Sequence, residues 1–339
     1  MNRNRFEAIT GRYTALRMAV IGDFCLDRYL EIDPGRAEIS IETGLPVHTV
    51  TRVRSQPGGA GTILNNLAAL GVSELWPVGF CGDDGEGYEL RCALAARPGV
   101  RLDHFIQTPV RRTFTYCKPL VMHADRPPEE LSRLDSKNDS PTPDAVQTRI
   151  LSSLRALAGK VDAIILLDQV EFPETGVVTS RLLEGVGELL RQDPTLLIFG
   201  DSRRGLRHWP PVAFKMNAAE LATLTGTASA AALEQIQKIA ATLAQDQGHA
   251  VFVTLAERGI VGATARGEAE HSPALPARGP IDIVGAGDAV TANLACALAA
   301  GATLHEAILL ANAAASVVIH QLGTTGTASV PQLQQAICA

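Results

Sequence analysis

The clearest chemical signal in the chain is the run Asp282-Ile283-Val284-Gly285-Ala286-Gly287-Asp288. Two glycines around an alanine permit a tight turn with exposed backbone N–H groups, and the Ala-rich stretch that follows reads as a helix. The amino end of such a helix binds anions through free amides and the helix dipole. Asp288 falls in the first turn, where that positive end favours the ionised carboxylate. An anion cradle beside a carboxylate that can accept a hydroxyl proton is the equipment of phosphoryl transfer. Read alone, the same residues also fit a plain glycine turn with an aspartate cap. A Rossmann loop is disfavoured because the third glycine is missing, and the chain contains no Walker A segment.

The elements that must position this segment read as α/β. Met18–Asp23 is a short β-branched run ending in Gly-Asp, the pattern of a buried strand. Gly58–Gly71 reads as a glycine turn entering a helix, and Glu74–Phe80 as strand. From Val161 onward strands and helices alternate. Strands are predicted at Ala163–Leu167, Leu196–Phe199, Phe214–Met216, Ala250–Thr254 and Ile260–Ala265. Helices are predicted at Thr175–Arg191, Ala218–Leu224, Ala230–Gln245, Gly287–Ala300 and Leu304–Gln321. Such alternation predicts a three-layer α/β/α sandwich around a mainly parallel sheet, in one domain spanning residues 1–339. Two shorter alternating regions, about 28–54 and 112–122, predict a small β-sheet lid. Asp125–Pro143, rich in Pro, Ser and charge, reads as loop and edge structure.

Composition narrows the function classes. The net charge of −6 with no basic run argues against a nucleic-acid partner. The amino terminus lacks the apolar core of a signal peptide. The longest apolar stretch, Leu294–Ile319, is broken by Gly301, His305 and Glu306, so it predicts a packed helix pair rather than a membrane span. The six cysteines form no C-x-x-C pair, which fits reduced thiols in a cytoplasmic protein, and the histidines show no metal-ligand spacing.

Several motifs in one order extend the reading. A first strand ending in Gly22-Asp23 precedes the Gly58-Gly59 helix, then Asn217-x-x-Glu220, Thr254–Gly259, Asp282–Asp288 and Asn312. In this order the chain resembles the ribokinase-like, or PfkB-type, carbohydrate kinases. The resemblance implies ATP and Mg²⁺ as cofactors and a sugar hydroxyl as acceptor. It implies that Asp288 deprotonates that hydroxyl and that the amides of Gly285, Ala286 and Gly287 form the anion hole. Asn217 and Glu220 are implied to organise Mg²⁺ and the ATP phosphates, with Glu220 the metal-side carboxylate; on residue types alone they also fit an ordinary helix cap. Thr254 and Gly259 are implied to border the nucleotide, with Asn312 near the adenine. Some relatives hold a monovalent cation where Asp282 and Val284 stand here. A homodimer through the lid is a further expectation of the family.

The amino-terminal half should choose the acceptor. Asp23, Asp27, Gly58, Gly59, Thr62 and Lys118 are the candidate contacts, with Arg28 and Arg112 further cations for an acceptor phosphate. Gly22-Asp23-x-x-Leu26-Asp27-Arg28-Tyr29, Ile39-Ser40-x-Glu42, Arg133-Leu134-Asp135 and the Ala311–Ala314 tail resemble bacterial heptose-7-phosphate kinases. Those enzymes are often fused to a nucleotidyltransferase; with the sequence ending at Ala339, no second domain is expected. Other sugars or nucleosides, such as a ketohexose or ribose, and a non-catalytic ligand-binding role are the alternatives. Four departures bear on the choice. Thr62 replaces the family's Asn, Ile283 the Thr of the Asp-Thr-x-Gly-Ala-Gly-Asp signature, and Ala256 a nucleotide-loop Gly. The Asp-Tyr-x-Lys-Gly stretch appears as Asp168-Gln169-Val170-Glu171.

Overall fold

The computed structural model describes residues 1–227 and 231–338, with side chains up to residue 337. Among these, nine strands form the main sheet. Its spatial order is Ala269–Ser272, Ile260–Ala263, Val251–Thr254, Ala213–Asn217, Leu197–Ser202, Ala163–Asp168, Arg17–Gly22, Glu74–Gly82, Phe105–Thr108. All neighbours run parallel except at one edge, where Val251–Thr254, Ile260–Ala263 and Ala269–Ser272 pair antiparallel.

Side-chain alternation along the strands fills a separate core on each face. Met18 and Val20 pack on one side with Ile165, Leu167 and the helices Ala60–Ala69, Ala286–Ala299 and Leu304–Ile319. Ala19 and Ile21 pack on the other with Ile164, Leu166 and the helices Asp144–Leu157, Ser180–Gln192 and Leu233–Gln247. Burial on both faces is what a parallel sheet requires, and it yields the predicted three layers. The predicted helix start at Ala230 lies outside the described residues. No described helix is long and apolar enough to cross a membrane.

Some boundaries differ from expectation for physical reasons. The helix predicted from Thr175 begins at Ser180, capped by Thr179, because residues 175–178 form a loop that hydrogen-bonds elsewhere. Gly58 and Gly59 end the strand Val50–Gly59, and Gly59, at φ 57°, is the N-cap through which the chain enters the helix Ala60–Ala69. The polar-looking amino terminus contains the helix Arg3–Thr10, whose Phe6 and Ile9, with Tyr13 beyond it, insert into the core.

A second sheet leaves the main one directly after Asp23. Its strand order is Val50–Gly59, Phe24–Ile32, Thr115–Val121, Glu129–Glu130, with a two-stranded hairpin, Glu38–Ile39 and Pro46–Val47, beyond it. The observed layer therefore extends over residues 24–59 and 115–130, wider than the two segments read from sequence. Strand succession in the main sheet reverses at Arg17–Gly22. Later strands add outward from Ala163–Asp168 on one side, while Glu74–Gly82 and Phe105–Thr108 add on the other. Ligands bind beyond the strand carboxyl ends at such a reversal. Asp23, Asp168, Asp201 and Asn217 all lie at those ends.

Candidate active site

Gly285 takes a left-handed conformation (φ 81°) and caps the helix Ala286–Ala299 without a side-chain bond. Ala286 N donates to Ile283 O at 3.2 Å, closing the turn. Among the described residues no protein group accepts from the amides of Gly285, Gly287 or Asp288. The expected three-amide cradle is thus corrected: the Ala286 amide is spent on the turn, and Gly285 and Gly287 keep free N–H groups.

Asp288 is half-buried, enclosed by protein but open to the cleft. Burial pushes its carboxyl up to about 7; Asp201 and Asp27 push the same way and Lys215 opposes them. Desolvation and two like charges thus oppose the ionised form that the helix terminus favours.

Two charged residues at this site were not singled out from the sequence. Lys215, on the strand Ala213–Asn217, is buried and donates to Asp201 Oδ2 at 2.9 Å. Thr291 Oγ1 donates to the same oxygen at 2.9 Å. A Cβ added to Gly287 would lie 3.2 Å from Lys215 Nζ, so the ammonium sits directly beneath the glycine turn. Burial works against the Lys215 charge, but Asp201 outweighs it and holds the proton affinity above the ordinary lysine value. The signal was a lysine inside the otherwise apolar run Ala213-Phe214-Lys215-Met216, where a buried cation needs a paired anion.

A cavity of about 750 Å³ is lined by Asn217, Thr254, Gly259, Gly287 and Asn312, among others. That volume suits a nucleotide-sized ligand. Asn217 and Glu220 form a reciprocal helix cap: Asn217 Oδ1 accepts from the amides of Ala219 and Glu220, and Glu220 Oε2 accepts from Asn217 N at 2.7 Å. Capping therefore uses one Glu220 oxygen and leaves the other without a protein partner. Burial, then Asp201, raises the Glu220 proton affinity. Among the described residues no group of three or more His, Cys, Asp or Glu could hold a metal. A single carboxylate beside such a cavity nonetheless fits Mg²⁺, which keeps most of its waters. Thr254 Oγ1 donates to Met216 O at 3.4 Å, and Asn312 Nδ2 to Ser272 O at 2.8 Å. Gly259 has φ 92°, and a Cβ there would collide with Ser272 O. Ala256 is held at φ 51°. The Asp282 oxygens accept from Val284 N at 3.0 Å and Gly323 N at 3.2 Å, tying two loops together.

The aspartates Asp23 and Asp27 differ in their partners. Asp23 accepts from Val177 N at 2.7 Å and Gln169 N at 2.8 Å, so both its oxygens are anchored to backbone. Burial and Asp168 push it up to about 6. Asp27 is also buried, yet no described group donates to its carboxylate. Burial raises its proton affinity, while Lys118 and Arg133 pull it back. Gly58 packs over it, where a Cβ would come within 2.6 Å of Asp27 Oδ2. Thr62 is buried, with Cγ2 3.5 Å from where Gly285 would carry a Cβ, so it touches the cradle turn. Lys118 Nζ lies 5.2 Å from the Tyr29 ring centre. Arg28 is committed to Glu89 at 2.7 Å, and Arg112 is mostly exposed near Asp84.

Comparison with known proteins places the fold and the ordered motifs together. Residues 197–331 match the family described as pfkB family carbohydrate kinase. The chain is 30% identical over 321 residues to the Bifunctional protein HldE of Gluconacetobacter diazotrophicus, covering 95% of this chain and 63% of that protein. It is 32% identical to the Citrifermentans bemidjiense protein of the same name, covering 97% and 65%. Residues 197–331 are those of a pfkB carbohydrate kinase. The chain spans just under two thirds of the length of these curated relatives. Arabidopsis thaliana ribokinase complexed with ribose and ATP superposes with TM-score 0.68 at 20% identity, covering 95% and 98% of the two chains. Escherichia coli phosphofructokinase-2 in complex with substrates and products gives 0.70 at 17%, with the same coverage. These likenesses show the ribokinase fold.

Proposed function

We propose that the protein transfers the γ-phosphoryl group of ATP to a hydroxyl of a sugar phosphate, with D-glycero-D-manno-heptose 7-phosphate the leading acceptor. One observation carries the reading: a half-buried carboxylate, Asp288, sits at the free amides of a glycine turn, between a nucleotide-sized cavity and the unbonded carboxylate of Asp27.

In this reading the acceptor hydroxyl donates to Asp288, which takes the proton as the oxygen attacks phosphorus and the bond to ADP breaks. The free amides of Gly285 and Gly287, the helix dipole and Lys215 offset charge on the moving group. Mg²⁺, bound with ATP, neutralises phosphate charge; Asn217 and Glu220 are the residues that would hold its hydration shell. Asp27, rather than Asp23, orients the acceptor, because only its carboxylate is unclaimed. Lys118 supports an acceptor that already carries phosphate: it acts electrostatically on Asp27, and no described carboxylate pairs with it. The exposed Ile39, Ile41 and Leu45 of the lid hairpin support a lid-to-lid homodimer.

The test is an acceptor panel with Mg-ATP, comprising heptose 7-phosphate, fructose 6-phosphate, ribose and a nucleoside. Product with heptose 7-phosphate is expected. Product with a plain sugar alone overturns the assignment of the acceptor, and silence across the panel with binding retained overturns the kinase reading.

A further inference from the structure

Gln56 lies on the lid strand Val50–Gly59, directly before Pro57-Gly58-Gly59 and opposite Asp27 in the strand pairing. Its carboxamide spans to a loop nearly the length of the chain away. Nε2 donates to Thr325 Oγ1 at 2.9 Å, and Oε1 accepts from Thr324 Oγ1 at 3.0 Å. Among the described residues this is the only side-chain bonding between that strand and the 320–327 loop.

The loop packs against the back of the glycine turn. The Cα and Cβ of Thr325 each lie 3.3 Å from where a Cβ on Gly285 would stand. Gly323 N donates to Asp282, whose other oxygen accepts from Val284 N, so the loop and the Asp282–Asp288 turn are bonded into one unit. Asn66 adds a third strand of support, donating to Gly326 O at 3.4 Å and accepting from Ala328 N at 3.3 Å. The opposite face of the lid is fixed separately, through Arg28 and Ser55 to Glu89. The lid is therefore tied on two sides, and only the Gln56 tie reaches the cradle.

We infer that Gln56 is a positioning residue: its bonds to Thr324 and Thr325 latch the acceptor-binding strand onto the loop that backs Gly285, so that acceptor binding and assembly of the phosphate cradle are coupled. A neutral carboxamide suits this place, since it donates and accepts at once and adds no charge beside phosphates. The inference rests on the kinase reading.

The experiment compares wild type, Gln56→Ala, Thr324→Val/Thr325→Val and Thr324→Ser/Thr325→Ser, using whichever panel sugar the wild type phosphorylates. Two neutral hydrogen bonds correspond to about tenfold to thirtyfold in rate. Gln56→Ala and the double valine variant should each lose about that much kcat, and combining them should add little. The serine variant keeps both hydroxyls and should retain wild-type kcat. A purely structural role would leave one further readout unmoved. In wild type, the sugar should tighten binding of the non-hydrolysable analogue AMP-PNP by about fivefold or more, and in Gln56→Ala that ratio should fall to near one. An active wild type whose Gln56→Ala variant keeps both kcat and the tightening overturns the latch while sparing the kinase reading. A wild type that phosphorylates no panel member overturns both.

Discussion

Removing the charge of Asp288 should make the unliganded protein more stable, and only above acidic pH. In the fold this carboxyl titrates near 7, against an ordinary aspartate value of 3.8. Each tenfold change in proton affinity is worth about 1.4 kcal/mol. Holding Asp288 ionised in the fold therefore costs about 4 kcal/mol as a ceiling, and about 2 kcal/mol once cleft water screens the group. The sign follows from linkage. Because the folded value lies above the unfolded one, the stabilising contribution is complete below the unfolded value and is lost as pH rises through the folded one. Asn is close to isosteric and neutral throughout. Asp288→Asn should thus match wild type at about pH 4, gain with rising pH, and level off above about 7 with an advantage of about 2 kcal/mol. Differential scanning calorimetry of both proteins without nucleotide, at pH 5 and pH 8, reads this as a difference in Tm that grows with pH. Equal stability at both pH values, or a variant weaker at pH 8, would refute the claim that burial and the neighbouring carboxylates raise this group.

Further outcomes follow from the same geometry. Since the base must be deprotonated, kcat/KM should rise about tenfold per pH unit below about 7 and plateau above it, as measured in steady-state pH profiles. Ala256→Gly should stabilise by about 0.5–1 kcal/mol in denaturant melts, because relief of the left-handed conformation exceeds the added freedom of the unfolded chain; Gly259→Ala should destabilise by about 3 kcal/mol. Asp27→Ala should lower kcat/KM for the acceptor about a hundredfold with little change in Tm, whereas Asp23→Ala should cost about 2–5 kcal/mol of stability by stranding the amides of Gln169 and Val177.

How far the sequence could be read depended on whether the physics was local. The Gly285-Ala286-Gly287-Asp288 turn was legible because its glycine conformation and the helix after it are set within a few residues. The layer order was legible from strand–helix alternation. Functions set by partners distant in sequence were not. Whether Asp23 or Asp27 is free for a ligand depends on Val177 N, 154 positions from Asp23. Whether Arg28 can meet a phosphate depends on Glu89, 61 positions away. The elevated proton affinity of Asp288 depends on burial and on Asp201, neither visible in the motif. Lys215 acquires its role only when the sheet buries it beside Asp201, 14 positions away. The same holds for the helix cap at Asn217 and Glu220. Its sequence signature is identical whether it serves only the helix or also a phosphate pocket, and only the adjoining cavity joins the two.

The central claim is that Asp288 takes the proton from the acceptor, and the direct measurement is turnover of Asp288→Asn beside its ATP affinity. With the acceptor that the wild type uses, kcat should fall by about 10²–10⁴-fold while ATP binding, followed by titration calorimetry, stays within about twofold. A variant that keeps most of its turnover, or one that loses ATP binding in step with activity, would contradict the account.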